Sequence, residues 1–209
     1  AVGSGRGGAA APAHGGTVRS WNAPQPSRIV KEEPRPGRWR SPGELHAAHC
    51  QALVDRPPRG GEAGAAQSWK LAGLRVCKMA EDMRPVDLAT CASAFERAGR
   101  RDMRVLFVLA EAGIAKRHDF GAAAAARLLE AFASLGVRNE PLFEALGARL
   151  LALVEEAAQG PAAGRKALAA PLGRAVAAHA KLGLEGLAAV PALREAAERR
   201  GRGELPQPV

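Results

Sequence analysis

The sequence predicts an all-α fold: an α-solenoid of helical hairpin repeats with a disordered N-terminal tail. Two observations carry this. The chain is rich in Ala, Leu, Arg and Glu, good helix formers, and has no long β-branched run. Ala94-Phe95-Glu96-Arg97-Ala98-Gly99-Arg100-Arg101-Asp102 also returns 37 residues later as Ala131-Phe132-Ala133-Ser134-Leu135-Gly136-Val137-Arg138-Asn139. A weaker copy, Ala178-His179-Ala180-Lys181-Leu182-Gly183-Leu184-Glu185-Gly186, follows after another 47 residues. Recurrence at such a period marks stacked supersecondary units rather than one enclosed enzyme core.

Residues 1–40 read as a disordered basic tail of Gly, Pro, Ala, Ser and Arg, punctuated by Pro24, Pro26, Pro34 and Pro36. The tail is free of acidic residues before Glu32, as an organelle transit peptide would be. A plain solvated tail is the equal alternative. Residues 41–82 read as a leading helical pair. Ser41-Pro42-Gly43-Glu44 is a helix start, with Ser41 as cap, Pro42 in the first turn and Glu44 closing a capping box. Leu45, His49 and Leu53 share one face of that helix, predicted over 42–55. A second helix over 65–80 carries Trp69, Leu71, Leu74, Cys77 and Met79.

Residues 83–200 form the predicted helical-repeat domain, in units of about 83–120, 121–158 and 165–200. Asp82 is the expected cap of the first repeat helix, and Leu88, Cys91, Ala92, Phe95 and Ala98 are its apolar stripe. Gly99 is its stop and Asp102 the cap of the next helix, with stripe Leu106, Leu109 and Gly113. The second copy keeps this register with Leu128, Leu129, Phe132, Gly136, Asn139, Phe143 and Leu146. The third keeps it with Leu172, Ala175, His179, Gly183, Val190 and Leu193. The extra residues of the third copy fit a lengthened loop at 160–164. Residues 201–209 read as a flexible C-terminus.

The net charge of +9 is uneven: residues 1–60 contribute +5, while 61–120 and 121–209 contribute +2 each. Basicity alone therefore says little about nucleic acid at the helical part. Cys50, Cys77 and Cys91 form an odd set without recognisable spacing, which points to a reduced compartment. No apolar stretch is long enough to predict a transmembrane helix.

Leu88-Ala89-Thr90-Cys91-Ala92-Ser93-Ala94-Phe95-Glu96-Arg97-Ala98-Gly99-Arg100-Arg101-Asp102 and Leu128-Leu129-Glu130-Ala131-Phe132-Ala133-Ser134-Leu135-Gly136-Val137-Arg138 resemble the first helix of organellar helical-repeat proteins. These are the heptatricopeptide and octotricopeptide repeats and the helical region of FAST-kinase-like proteins that carry a RAP domain. The shared trait is a Leu-Leu-x-Ala-Phe-Ala-x-Leu-Gly-like helix with a basic residue just past the glycine. The resemblance spans about residues 65–200. It implies binding to organellar single-stranded RNA or rRNA, in RNA processing, RNA stability or a ribosome, in a mitochondrion or alternatively a plastid. Two features depart from it: there is no Pro-Pro-Pro-Glu-Trp signature, and no RAP domain follows within this sequence.

The basic residues around the repeat turns are the candidate RNA contacts: Arg97, Arg100, Arg101, Arg104, Lys116, Arg117, Arg138 and Lys181. Arginine pairs bidentately with phosphate and stacks on splayed bases. Cations at helix C-termini also satisfy the helix dipole, which is the plainer reading of several of them. Phe95, Phe132 and Phe143 lie on apolar stripes and are expected in the core. Trp21 and Trp39 sit among arginines in the tail, where they could stack on bases. His46, His49 and Cys50 share a spacing that metal ligands use, with Cys77 the only further donor in view, and structural packing is the expectation. No phosphate-cradling loop, nucleophile elbow or zincin motif occurs, so no catalysis, metal or cofactor is expected. The alternative to RNA binding is a protein–protein scaffold or a structural subunit of an organellar ribosome or other complex.

Overall fold

The computed structural model describes residues 41–56, 61–159 and 167–201. Among these residues every regular element is helical. The helices are α1 (Pro42–Asp55), α2 (Gly61–Met79), α3 (Pro85–Arg97), α4 (Met103–Ala115), α5 (Ala122–Ser134), α6 (Glu140–Ala158), α7 (Ala169–Lys181) and α8 (Ala189–Gly201). Single 3-10 turns lie at Ala80–Asp82 and Arg117–Asp119. The tail with Trp21 and Trp39, the expected loop at 160–164 and residues 202–209 lie outside the described residues.

Local chemistry explains the helix starts. The Ser41 hydroxyl accepts the Glu44 amide at 3.2 Å, with Pro42 in the first turn. Asp102 accepts the amides of Arg104 and Val105 at 3.1 and 3.3 Å, and Asn139 accepts that of Leu142 at 3.0 Å. One expected cap is wrong. Residues 80–82 form a 3-10 turn, so Asp82 does not cap α3. The chain enters α3 at Arg84, whose amide donates to the Asp87 carboxylate at 3.4 Å, while its guanidinium bonds the same carboxylate at 2.9 and 3.2 Å. That pairing is why Asp87 tolerates near-complete burial.

The repeat glycines end α3, α5 and α7 in one way. Gly99, Gly136 and Gly183 have φ of 62°, 66° and 65°, the left-handed region that favours glycine. After each, the chain doubles back to the helix it has left. Arg100 donates its amide to Phe95 O at 2.8 Å, Val137 to Phe132 O at 2.9 Å and Leu184 to His179 O at 3.0 Å. Each glycine amide closes a shorter ring onto Glu96, Ala133 or Ala180. This double bond is the Schellman motif, which satisfies carbonyls that a helix end leaves orphaned.

Contacts follow two rows. α1 packs on α3, α3 on α5 and α5 on α7, while α2 packs on α4, α4 on α6 and α6 on α8. The rows are joined within each hairpin, α1 to α2, α3 to α4, α5 to α6 and α7 to α8. Phe95, Leu106, Leu109, Leu128, Phe132, Phe143 and Leu146 are fully buried in the shared core. Each such side chain contributes about 1.5–3 kcal/mol of transfer free energy. Glycines let the second row close up. A Cβ on Gly73 would lie 2.9 Å from Val105, one on Gly113 3.1 Å from Leu142, and one on Gly147 3.1 Å from Ala189.

In the leading pair the buried sides lie mostly away from the leucines that the sequence singles out. In α1 the buried side is Gly43, His46, Ala47 and Cys50; His49 is exposed, Leu45 is 55% exposed and Leu53 is half-buried. In α2 the buried residues are Trp69, Ala72, Gly73 and Val76, while Leu71 and Leu74 are exposed. In α2 the small Ala72 and Gly73 share the buried side with Trp69 and Val76, and Gly73 lets α2 approach α4, where a leucine would prop the two helices apart.

Candidate nucleic-acid interface

Arg97 and Lys181 lie at the C-terminal ends of α3 and α7, Arg100, Arg101 and Arg138 in the turns after α3 and α5, Arg104 in the first turn of α4, and Lys116 and Arg117 just past its end. Several of them tie one hairpin to the next. Arg97 donates to the Asp55 carboxylate at the end of α1, at 3.2 Å. Arg101 donates to the Gly136 carbonyl of the next turn, at 3.1 Å. Lys181 donates to the Ser134 hydroxyl at the end of α5, at 3.4 Å. Arg138 stays local, with its Nε donating to Glu140 at 2.9 Å.

Arg100 is half-buried and Arg104 exposed, and neither makes a side-chain hydrogen bond or ion pair among the described residues. Lys116 and Arg117 follow the far end of α4, about 20 Å along the helix from Arg101 at its rise per residue. Arg117 donates to Ile114 O at 3.4 Å. The structure therefore gathers Arg97, Arg100, Arg101, Arg104, Arg138 and Lys181 near the glycine turns and leaves Lys116 and Arg117 at the other end of α4.

Two clefts flank the turns. The first, about 390 Å³, lies between α2 and the α3–α4 turn, with Trp69, Lys70, Arg100, Arg101 and Asp102 among its lining. The second, about 510 Å³, lies between α4 and the α5–α6 turn, with Met103, Phe107, Val137, Arg138 and Glu140 among its lining. The floors repeat as well, Phe95 in one and Phe132 in the other. Lys70, Met103 and Phe107 are additions that the stripes did not reveal. The signal was present: the 37-residue register runs back into α2 and matches Ala66 with Met103 and Lys70 with Phe107.

A separate buried cluster joins α1 to α3. His46 Nε2 lies 3.2 Å from Ala72 O and 3.9 Å from Cys50 Sγ. Hydrogen bonding to Cys91, then to His46, draws the Cys50 thiol down to about 5 against the opposing effect of burial. The same thiol pair pushes Cys91 upward, and burial adds to it. His46 is raised, chiefly by its bond with Cys50. Cys77 stands apart on α2 and is raised by burial. Among the described residues no group of His, Cys, Asp and Glu is placed to hold a metal ion, and no helix is long and apolar enough to cross a membrane.

The third repeat differs at its core. His179 replaces Phe95 and Phe132 and is fully buried, with its ring edge-on to Phe143 at 4.9 Å. Its Nδ1–H donates to Ala175 O at 2.7 Å, and Nε2 is without a hydrogen-bond partner among the described residues.

Compared with protein-family models, curated proteins and solved structures, the chain matches none.

Proposed function

We propose that this chain is a non-catalytic RNA-binding helical-repeat protein, built as an α-solenoid and acting on single-stranded RNA or rRNA in a mitochondrion, with a plastid the alternative. The two rows of helices and the identical glycine stops support the solenoid reading. One observation carries the RNA reading. Lys70, Arg100 and Arg101 converge on a single cleft beside a repeat turn, with Arg138 at the equivalent place one hairpin on. Groups repeated along a stack track a linear polyanion. The intramolecular bonds of Arg97, Arg101 and Arg138 do not oppose this, because exposed pairs contribute only about 0–1 kcal/mol and phosphate oxygens exchange with them.

A protein–protein scaffold is the second reading. It is favoured by a groove of about 430 Å³ on the first row, where Glu96 and Glu130 alternate with Arg97, Arg127 and Arg174. Alternating signs suit a polypeptide better than a polyanion. Filter binding of RNA across a salt series separates the two. The RNA reading expects affinity that falls steeply with salt. Arg100→Ala combined with Arg101→Ala should flatten the slope of log K against log salt by roughly 0.7 for each phosphate no longer neutralised. No binding at low salt would sink it.

A further inference from the structure

We infer that the two turn clefts form one short single-strand site, in which Lys70, Arg100 and Arg101 hold a phosphate and Phe107 with Met103 stacks the neighbouring base. The inference rests on the RNA reading above and names the groups that would carry it. Phe107 is 58% exposed and Met103 52%, although the other phenylalanines of the repeats are buried. They stand four residues apart on α4, so they form one continuous apolar surface. That surface opens into the second cleft, against Val137 and Pro141, with the Arg138 guanidinium at its rim. An apolar platform with one arginine at its edge matches a nucleotide, π-face on the ring and phosphate on the guanidinium, with the phosphate exchanging for Glu140, which holds Arg138 in an exposed ion pair at 2.6 Å.

The repeat register sets where the site stops. Position by position, Lys70 and Phe107 are followed in the third hairpin by Glu144 and Ala66 and Met103 by Glu140, while Arg101 and Arg138 are followed in the fourth by Glu185. All three glutamates are exposed. The edge thus runs from cationic, through aromatic, to acidic: Glu140 already stands in the wall of the second cleft, paired with Arg138, and Glu144 and Glu185 continue the acidic run, so a polyanion has no favourable continuation beyond it. Charge complementarity therefore commits the surface to a short strand rather than to a long duplex or an acidic protein face. Arg101 lies between the clefts. It lines the first and donates to the Gly136 carbonyl at the turn that borders the second, which links a phosphate held in one to the geometry of the other.

The test is fluorescence anisotropy of a labelled oligouridine decamer with the full chain, in wild type, Phe107→Ala, Phe107→Trp and Val86→Ala. Circular dichroism checks that each variant is folded, which the exposure of Phe107 favours. Phe107→Ala should weaken binding about tenfold or more without changing the salt slope, since it removes base stacking and leaves phosphate neutralisation as it was. Phe107→Trp should restore it. Val86→Ala removes an equally exposed side chain that lines neither cleft and should leave affinity unchanged. Wild-type binding that Phe107→Ala leaves intact would overturn this inference and spare the functional reading. No wild-type binding at low salt would overturn both.

Discussion

Two glycine-to-alanine substitutions should change stability in opposite directions, and backbone conformation alone should decide the sign. Gly136 ends α5 at φ 66°, and an added Cβ there meets nothing within 4 Å. Packing therefore contributes nothing. An L-residue in the left-handed region costs about 1–2 kcal/mol. Reduced freedom of the unfolded chain returns about 0.4–1 kcal/mol. Gly136→Ala should therefore lose about 1 kcal/mol. Gly173, inside α7, also has nothing within 4 Å of its added Cβ and lacks a positive φ. Gly173→Ala should gain about 0.5–1 kcal/mol from backbone entropy and helix propensity. In a chain of this length the shifts in Tm are about 2–4 °C per kcal/mol, downward for the first and upward for the second. Urea and thermal melts followed by far-UV circular dichroism read both. Gly136→Asn adds a check, because Asn tolerates the left-handed region better and should fall between wild type and Gly136→Ala. If Gly136→Ala proved as stable as wild type, the Schellman account of the repeat turns would be wrong.

The remaining expectations concern the helix contacts, a cap and the buried thiols. Gly147→Val should cost about 1–3 kcal/mol by wedging α6 from α8, where a Cβ on Gly147 would already lie 3.1 Å from Ala189 Cβ; an unchanged urea midpoint would refute the close approach. Asp102→Ala removes the acceptor for two α4 amides and should cost about 1 kcal/mol, whereas Asp102→Asn should keep most of it in the same melts. For Cys50, the folded state releases the thiol proton at about 5 and the unfolded chain near the ordinary thiol value. The unfolded state then binds more protons between these limits, so this group adds stability as pH rises from 5 and loses it as pH falls back. His46, raised in the folded state, acts in the opposite sense above its ordinary value of 6.5. On the acid side of pH 6.5, where the lowered Cys50 acts before the raised His46 opposes it, wild type should gain stability with pH more steeply than Cys50→Ser in urea melts; parallel curves would show that Cys50 does not ionise there.

The parts of the fold legible in the sequence share a physical basis: they depend on residues within a few positions of one another. The Ser41, Asp102 and Asn139 caps follow from side chains meeting the first turn of their own helix, and the stops at Gly99, Gly136 and Gly183 from glycine's freedom at positive φ. The apolar stripes of α3 and α5 were also legible, because each helix there presents one dominant buried side to its neighbours. Asp82 misled because a 3-10 turn and a capping loop look alike as sequence, and Asp87, three residues past the true start, supplied the same chemistry. The candidate cations were legible by type, but their employment was not. Whether Arg97, Arg101 or Lys181 points to solvent or bridges hairpins depends on partners 35 to 47 residues away.

The sequence by itself determined the all-α class of the described residues, their repeat register and their glycine turns, because helix propensity, capping and the left-handed preference of glycine act over a turn or less. Tertiary structure alone decided which faces of α1 and α2 are buried, since burial is shared between helices and depends on which side meets a neighbour. It also decided that Phe107 stands open beside Arg138 while Phe95 and Phe132 are enclosed. α4 contacts α2 and α6 and its own hairpin partner, and those contacts together leave one side of the helix facing solvent.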